Sequence, residues 1–303
     1  RSGDQLHAPY RFDHAKFMVI DSAMVFVTSE NFKDNGFPEP GLSGNRGWGV
    51  VIEDPGVARY FRDMFIYDAG GAWAVPAAGT GGGTGEQVRP AYRREFQPVR
   101  FSNATVIPVI APDTSWLVED LLGQAERSID IEQAYITNQS DGSFNAFLAC
   151  AIESARSGVR VRILLDSYYY NTDGEEDNDE LVDVLNNLAG REQIPLEARC
   201  ADLDGNNLEK IHNKGVIVDG RKVLVSSINW NTNSPTFNRE AGVIIDHPGV
   251  GEYYTQIFDD DWEAGNADRG MPGPDLQKIM AAAAVVGLLV LFWMWKRKKV
   301  WRR

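Results

Sequence analysis

Apolar and polar positions along the chain form segments that predict strands and helices in turn, most clearly beyond residue 100. Apolar runs such as "ATVIPVIA", "VRVRILLD" and "EAGVIID" have the length and the β-branched content of buried strands. Between such runs, "SWLVEDLLGQAERS" and "FNAFLACAIESARSG" repeat apolar residues every three or four positions, as helices that cover a sheet do. This order predicts an α/β fold in which helices flank a mixed, mostly buried sheet.

One long segment of this pattern occurs twice. The stretch "HAKFMVIDSAMVFVTSENF" aligns without a gap with "HNKGVIVDGRKVLVSSINW", which places His14 on His212 and Asn31 on Asn229. Farther along each copy, "NRGWGVVIEDPGVARYFRDMF" aligns with "NREAGVIIDHPGVGEYYTQIF". A long internal repeat of this kind predicts two pseudo-symmetric lobes built from the same unit.

The repeat divides the chain into four predicted parts. Residues 1–68 form the carboxyl-terminal part of the first lobe, 69–98 a linker rich in Gly, Ala and Pro, 99–270 the second lobe, and 271–303 a membrane anchor with a basic tail. The second lobe has roughly a hundred residues ahead of its histidine, whereas the first has thirteen. We therefore expect that the first half of the first lobe and an export signal are missing before Arg1.

The carboxyl-terminal segment Ile279–Trp295 reads "IMAAAAVVGLLVLFWMW", seventeen residues without a charge. At ~1.5 Å per residue, a helix of this length nearly spans a hydrocarbon core. Its tryptophans and the following "KRKKVWRR" are typical of a membrane interface and a cytoplasmic flank. We predict one transmembrane helix, a cytoplasmic tail and an extracytoplasmic catalytic part, with a buried helix as the alternative.

Charge restricts the possible partners. The chain carries 43 acidic and 30 basic residues, and six of the basic ones lie among the last eight positions. The remainder is strongly acidic and repels polyanions, so nucleic-acid binding by a broad basic surface is disfavoured. A local cationic cleft stays possible.

Each repeated segment begins with a histidine that is followed by a lysine at +2 and an aspartate at +7. The six residues are His14, Lys16, Asp21, His212, Lys214 and Asp219. Residues two apart on a strand point to the same face, so each copy directs an imidazole and an ammonium towards one site. Each aspartate comes at a strand end and should point the other way, which favours a structural role.

Four neutral donors follow the two motifs with the same spacing of two. They are Ser29, Asn31, Ser227 and Asn229. Folding the two copies about a pseudo-dyad would gather these groups, the imidazoles and the ammoniums in one cleft. Such a cleft suits a phosphodiester, because one histidine can attack phosphorus while the other protonates the leaving alkoxide. We expect no metal and no cofactor.

The paired HxK(x)4D motifs, with Ser and Asn downstream of each, closely resemble the signature of the phospholipase D superfamily. The resemblance implies two α/β lobes that share one active site within a monomer, a phosphohistidine intermediate, and phosphate binding by the His, Lys, Ser and Asn residues of both copies. Glu240 matches the family's acidic residue that orients a catalytic histidine, whereas the first copy has Gly47 at that position. The resemblance makes His14 the nucleophile and His212 the acid, but Glu240 beside His212 would favour the reverse.

The sequence therefore predicts a membrane-anchored phosphodiesterase of phospholipase D type that hydrolyses or transfers phosphatidyl groups. A cardiolipin-synthase-like phosphatidyltransferase is the first alternative, since only the acceptor differs. An endonuclease comes next, and an inactive surface-binding protein last.

Overall fold

The computed structural model describes residues 9–38, 42–72, 74, 96–173 and 177–264. The first copy of the repeat folds into a three-stranded antiparallel sheet, a short separate strand and one helix. Its elements are β1 (Phe17–Ile20), β2 (Met24–Thr28), β3 (Asn45–Arg46), β4 (Gly49–Ile52) and α1 (Pro55–Ala69). The sheet has the order β1-β2-β4. The three residues Asp21, Ser22 and Ala23 connect the first two strands, and Asp21 and Ser22 have positive φ.

The remaining described elements are helices, the seven strands of a mixed sheet, and the short strand β9 (Lys210–Ile211), which pairs with β3. They are β5 (Thr105–Ala111), α2 (Leu117–Gly123), β6 (Ser128–Gln133), α3 (Ala146–Arg156), β7 (Arg160–Leu165), α4 (Asn178–Glu192), β8 (Leu196–Cys200), β9 (Lys210–Ile211), β10 (Lys214–Val218), β11 (Lys222–Ser226), α5 (Asn233–Phe237), β12 (Glu240–Asp246) and α6 (Pro248–Glu263), with a 3-10 turn at Tyr169–Asn171. The order is β5-β12-β11-β10-β6-β7-β8. The pairs β6-β7 and β7-β8 are parallel, and the other neighbours are antiparallel.

The predicted fold class, a large mixed sheet with helices, is confirmed. The two copies also fold alike, because β1-β2-β4-α1 and β10-β11-β12-α6 follow the same order. In each copy the last helix begins with a proline at its first turn, Pro55 or Pro248, preceded by a residue whose side chain caps it. The division into two lobes stays a prediction.

Two apolar clusters form the core. One lies beneath α2, α3 and α4 and is built from the second copy and the strands before it. The other joins the two copies: Val25, Val27 and Trp48 pack in the same cluster as Val225 and Val243. The small sheet therefore buries its apolar face against the large one, which fixes the first histidine motif relative to the second.

Ion pairs cross between the copies in a symmetric way. The guanidinium of Arg46 binds the carboxylate of Asp261 with N–O distances of 2.7 and 2.9 Å. Arg239, at the position that matches Arg46 in the repeat, binds Asp68 in the same bidentate manner at 2.8 and 3.1 Å. Asp68 and Asp261 occupy matching positions near the ends of α1 and α6. Each copy therefore holds the arginine of the other.

Two predictions fall on parts of the chain without a description. The predicted transmembrane segment, Ile279–Trp295, lies outside the described residues, as does most of the linker. Within the described ranges, no helix has the length and apolar character needed to cross a membrane.

Packing between the copies can be tested at Gly215, which lies under the indole of Trp48. A Cβ at Gly215 would come within 2.4 Å of two Trp48 ring atoms. We expect Gly215→Ala to lower the free energy of unfolding by about 1–3 kcal/mol, because the buried ring has no room to move. Urea unfolding followed by circular dichroism measures this change.

Gly190→Ala is the matched control. Gly190 lies in α4, and a Cβ there would have no neighbour within 4 Å. This substitution should raise the free energy of unfolding by about 0.5–1 kcal/mol through the higher helix propensity of alanine. Equal effects of the two substitutions would contradict the described contact between the copies.

Candidate active site

The two histidines lie at the junction between the copies, each just before a strand. The backbone N–H of His14 donates to the carbonyl of Arg239, and that of His212 donates to the carbonyl of Arg46, both at 2.9 Å. These bonds belong to short parallel pairings that join one copy to the other. The chain leading into each HxK motif is therefore held by the copy that carries the other motif.

The two motif lysines are buried, and in addition to burial the charge of Lys16 contributes to lowering the pKa of Lys214. Lys16 Nζ donates to the carbonyl of His14 at 2.8 Å, and Lys214 Nζ donates to the carbonyl of His212 at 2.6 Å. Burial lowers the pKa of Lys214 to about 7, while Glu30 and Glu240 oppose this effect. Burial likewise lowers the pKa of Lys16 to about 8. An anion in the site would favour the protonated form of both ammoniums.

Glu240 binds the histidine of the other copy, His14, and not His212. Its Oε2 atom lies 2.8 Å from His14 Nδ1, and the carboxylate is fully buried. The expectation that Glu240 lies beside His212 was therefore wrong. Ser227 Oγ also donates to Oε2 at 2.6 Å, and Asn238 Nδ2 to Oε1 at 3.2 Å, so the carboxylate is fixed from several sides.

His212 has a different acidic neighbour, Glu30, which the sequence did not predict. Glu30 Oε2 lies 3.4 Å from His212 Nδ1 and accepts a hydrogen bond from Asn45 Nδ2 at 3.1 Å. Burial lowers the pKa of His212 to about 4, although Glu30 acts in the opposite direction. His212 is therefore neutral near pH 7.

The two predicted phosphate-binding serines have other partners and are completely buried. Ser29 Oγ accepts from the backbone N–H of Trp48 at 2.9 Å, and Ser227 Oγ donates to Glu240 as described above. Both hydroxyls are engaged by these partners, and the expectation that they contact phosphate stays a prediction. Asn31 and Asn229 are half-buried, and Asn229 Oδ1 has no hydrogen-bond partner among the described residues.

The two motif aspartates lie at the far ends of their strands, away from the histidines. Asp219 accepts hydrogen bonds from the backbone N–H groups of Glu126, Arg127 and Ser128, at 2.7 Å for Arg127. Asp21 is exposed in the turn between β1 and β2. The contacts of Asp219 agree with the structural role argued from the sequence for these aspartates.

The arrangement combines two imidazoles, two buried ammoniums and two carboxylates. In the described part of the chain, three or more His, Cys, Asp or Glu side chains do not come together in a way that could hold a metal ion. The expectation that the site needs neither a metal nor a cofactor stays a prediction.

Part of the chain is similar in sequence to known proteins. Residues 118–262 match a family model described as "Cardiolipin synthase, PLD-like domain". The mitochondrial cardiolipin hydrolase of Chlamydomonas reinhardtii is 28% identical over 144 residues, which cover 48% of this chain and 55% of the relative. The chain thus spans about half the length of that curated relative.

Two solved structures are also similar. The phosphatidylserine synthase of Haemophilus influenzae has a TM-score of 0.56 at 15% identity, over 92% of this chain and 70% of that one, which shows a shared fold. Nuc of Salmonella typhimurium, a phospholipase D family member, has a TM-score of 0.43 at 23% identity, over 54% of this chain and 96% of that one.

The buried lysines predict how an anion binds. At pH 8, the protein should take up protons when sulfate binds. Burial has lowered the pKa values of Lys16 and Lys214, and the bound anion favours their charged form. Affinity should fall as the pH rises through this range. Isothermal titration calorimetry in two buffers of different ionisation enthalpy measures the uptake.

Lys214→Met should abolish sulfate binding, while Lys33→Met, which changes an exposed lysine, should leave it unchanged. Thermal unfolding of both variants checks that they fold. Sulfate binding without proton uptake, or binding that survives Lys214→Met, would show that these ammoniums do not form the anion site.

Proposed function

We propose that the chain is a phosphodiesterase of the phospholipase D superfamily that hydrolyses or transfers phosphatidyl groups through a phosphohistidine. The observation that carries this proposal is the crossed attachment of His14 and His212, each bound through its backbone to the other copy. That attachment supports one shared site for the two motifs. The buried lysines between them supply positive charge for a phosphate anion.

The reaction we propose has two steps. In the first, Nε2 of one histidine forms a bond to phosphorus while the bond from phosphorus to the leaving alkoxide breaks, and the second histidine donates a proton to that alkoxide. In the second step, the histidine that donated the proton takes one from water or an alcohol. The oxygen of that water or alcohol attacks phosphorus and releases the imidazole of the attacking histidine. Lys16 and Lys214 offset the charge of the non-bridging oxygens throughout.

We assign the nucleophile to His212 and the proton donor to His14, the reverse of what the family resemblance implies. Burial keeps His212 neutral, and a neutral imidazole can attack phosphorus but cannot donate a proton. His14 Nδ1 lies 2.8 Å from the buried carboxylate of Glu240, a contact that orients its ring and leaves Nε2 to face the leaving oxygen.

A phospholipid is the substrate we favour. The relative named as a cardiolipin hydrolase and the fold shared with a phosphatidylserine synthase both support a phosphatidyl group. The aromatic ring of Phe12 is 60% exposed and lies 5.9 Å from the ring of His14, so an apolar surface adjoins the site. The strongly acidic composition makes a nucleic acid a weaker candidate. Anchoring by Ile279–Trp295, with the site outside the cytoplasm, remains part of this proposal.

Activity can be tested directly on the full chain. In the presence of a chelator, it should release the head group from cardiolipin or phosphatidylglycerol, and added alcohol should yield the transfer product. His212→Asn should lower turnover by at least about a thousandfold. Asp21→Asn, a change in the exposed turn, should have little effect.

The same assay separates the alternatives. Transfer without hydrolysis would favour the phosphatidyltransferase, and cleavage of single-stranded DNA alone would favour the nuclease. Failure to turn over any diester would contradict the enzymatic proposal.

The assignment of the histidines has its own test. Rapid acid-free quenching during turnover, followed by proteolysis and mass spectrometry, should find the phosphoryl adduct on the peptide that contains His212. His14→Asn should let the adduct accumulate with a substrate whose leaving group needs no proton. An adduct on His14 in the wild-type chain would overturn the assignment.

A further inference from the structure

The two copies supply a carboxylate to the opposite histidine from different sequence positions. In the second copy the acidic residue is Glu240, and the matching residue of the first copy is Gly47. In the first copy the acidic residue is Glu30, and its match in the second copy is Ile228, a member of the apolar core. The acidic residue has therefore changed place between the copies.

The space around Gly47 explains how this exchange is possible. A Cβ at Gly47 would lie 2.3 Å from Cγ and 2.6 Å from Oε1 of Glu30. The side chain of Glu30 thus occupies the volume that any side chain at position 47 would take. A glycine is needed there so that Glu30 can reach the site.

The partners of the two carboxylates also match. Asn45 Nδ2 donates to Glu30 at 3.1 Å, and Asn238 Nδ2 donates to Glu240 at 3.2 Å. Asn45 and Asn238 occupy the same position in the repeat. The two carboxylates are therefore held by equivalent neighbours even though their own backbone positions differ.

We propose that Glu30 is the positioning residue of His212, in place of the acidic residue that the first copy lacks at position 47. Resting on the proposed function, this role is to accept the Nδ1–H of neutral His212, so that Nε2 carries the lone pair that attacks phosphorus. The Nδ1–Oε2 distance of 3.4 Å is long for a hydrogen bond, and Nδ1 has no other hydrogen-bond partner among the described residues. Long catalytic hydrogen bonds of this kind can tighten in the complex with substrate.

A simpler role for Glu30 would be to offset the charge of the buried lysines, since it favours the protonated form of both Lys16 and Lys214. That role would not depend on which nitrogen of His212 carries the proton. The tautomer of His212 therefore distinguishes positioning from charge balance.

The tautomer can be read by long-range ¹H–¹⁵N NMR at pH 7, because the chain has only four histidines and His212→Asn assigns the signal. In the wild-type chain, His212 should be the Nδ1–H form. Glu30→Ala should convert it to a mixture with the Nε2–H form and lower kcat by about tenfold to a hundredfold. Glu119→Gln, which removes an exposed carboxylate far from the motifs in sequence, is the control for charge and should change neither.

Variants at Gly47 test the exchange of positions. Gly47→Ala alters no charge but displaces Glu30, so it should reproduce the effect of Glu30→Ala on the tautomer and on kcat. In the Glu30→Ala background, Gly47→Ala should have no further effect. The double variant Glu30→Ala/Gly47→Glu puts the carboxylate where the second copy has Glu240, and it should restore the Nδ1–H form and most of the activity.

The inference is overturned if His212 is the Nε2–H tautomer in the wild-type chain, or if Glu30→Ala leaves the tautomer unchanged. It is also overturned if the double variant fails to restore the Nδ1–H form while remaining folded. If the tautomers are as expected but the chain turns over no diester, the positioning role is supported and only the proposed function is contradicted.

Discussion

The crossed ion pairs between the copies are the constraint on which the site depends. Arg46 with Asp261 and Arg239 with Asp68 join each copy to the helix of the other, and the backbone carbonyls of the same arginines accept from His212 and His14. Breaking a buried pair of this kind by removing one partner costs about 3–5 kcal/mol. The same two arginines therefore hold the copies together and position both histidines.

This arrangement buries the ammonium groups of Lys16 and Lys214, and burial by itself disfavours their charged forms. Lys214 is fully buried, Lys16 nearly so, and burial lowers the pKa of both ammoniums. The carboxylates of Glu30 and Glu240 offset part of that cost, since each favours the charged form of the lysines. A phosphate group would supply further negative charge and would favour the protonated form of both lysines.

Much of the fold was predictable from the sequence because the apolar runs and the repeat carry the information. The strands at "GVIVD" and "EAGVIID" and the matching helices after Pro55 and Pro248 follow from pattern and capping residues. The short pairing of β3 with β9 was not predictable, since two-residue strands carry no periodicity.

For the site, the repeat showed which residues are equivalent but not which copy each side chain faces. Glu240 therefore appeared to belong to His212, whereas the crossing places it on His14. Glu30 was missed because its match is Ile228, so the alignment gave no acidic pair at that position. The one available signal was an acidic residue close in sequence to Asn31 in the copy that lacks an acid at position 47. The contacts of the serines with Glu240 and with the Trp48 backbone were not predictable, because their spacing in the sequence is the same for those contacts and for a contact with phosphate.

The central claim is that both motifs act on one phosphorus atom. A crystal structure of the full chain with orthovanadate tests it most directly, because vanadate adopts the five-coordinate geometry of phosphoryl transfer. We predict one vanadate with Nε2 of His212 at one apical position, Nε2 of His14 facing the opposite apical oxygen, and both lysine ammoniums on the equatorial oxygens. Vanadate bound by one HxK motif without the other would contradict it.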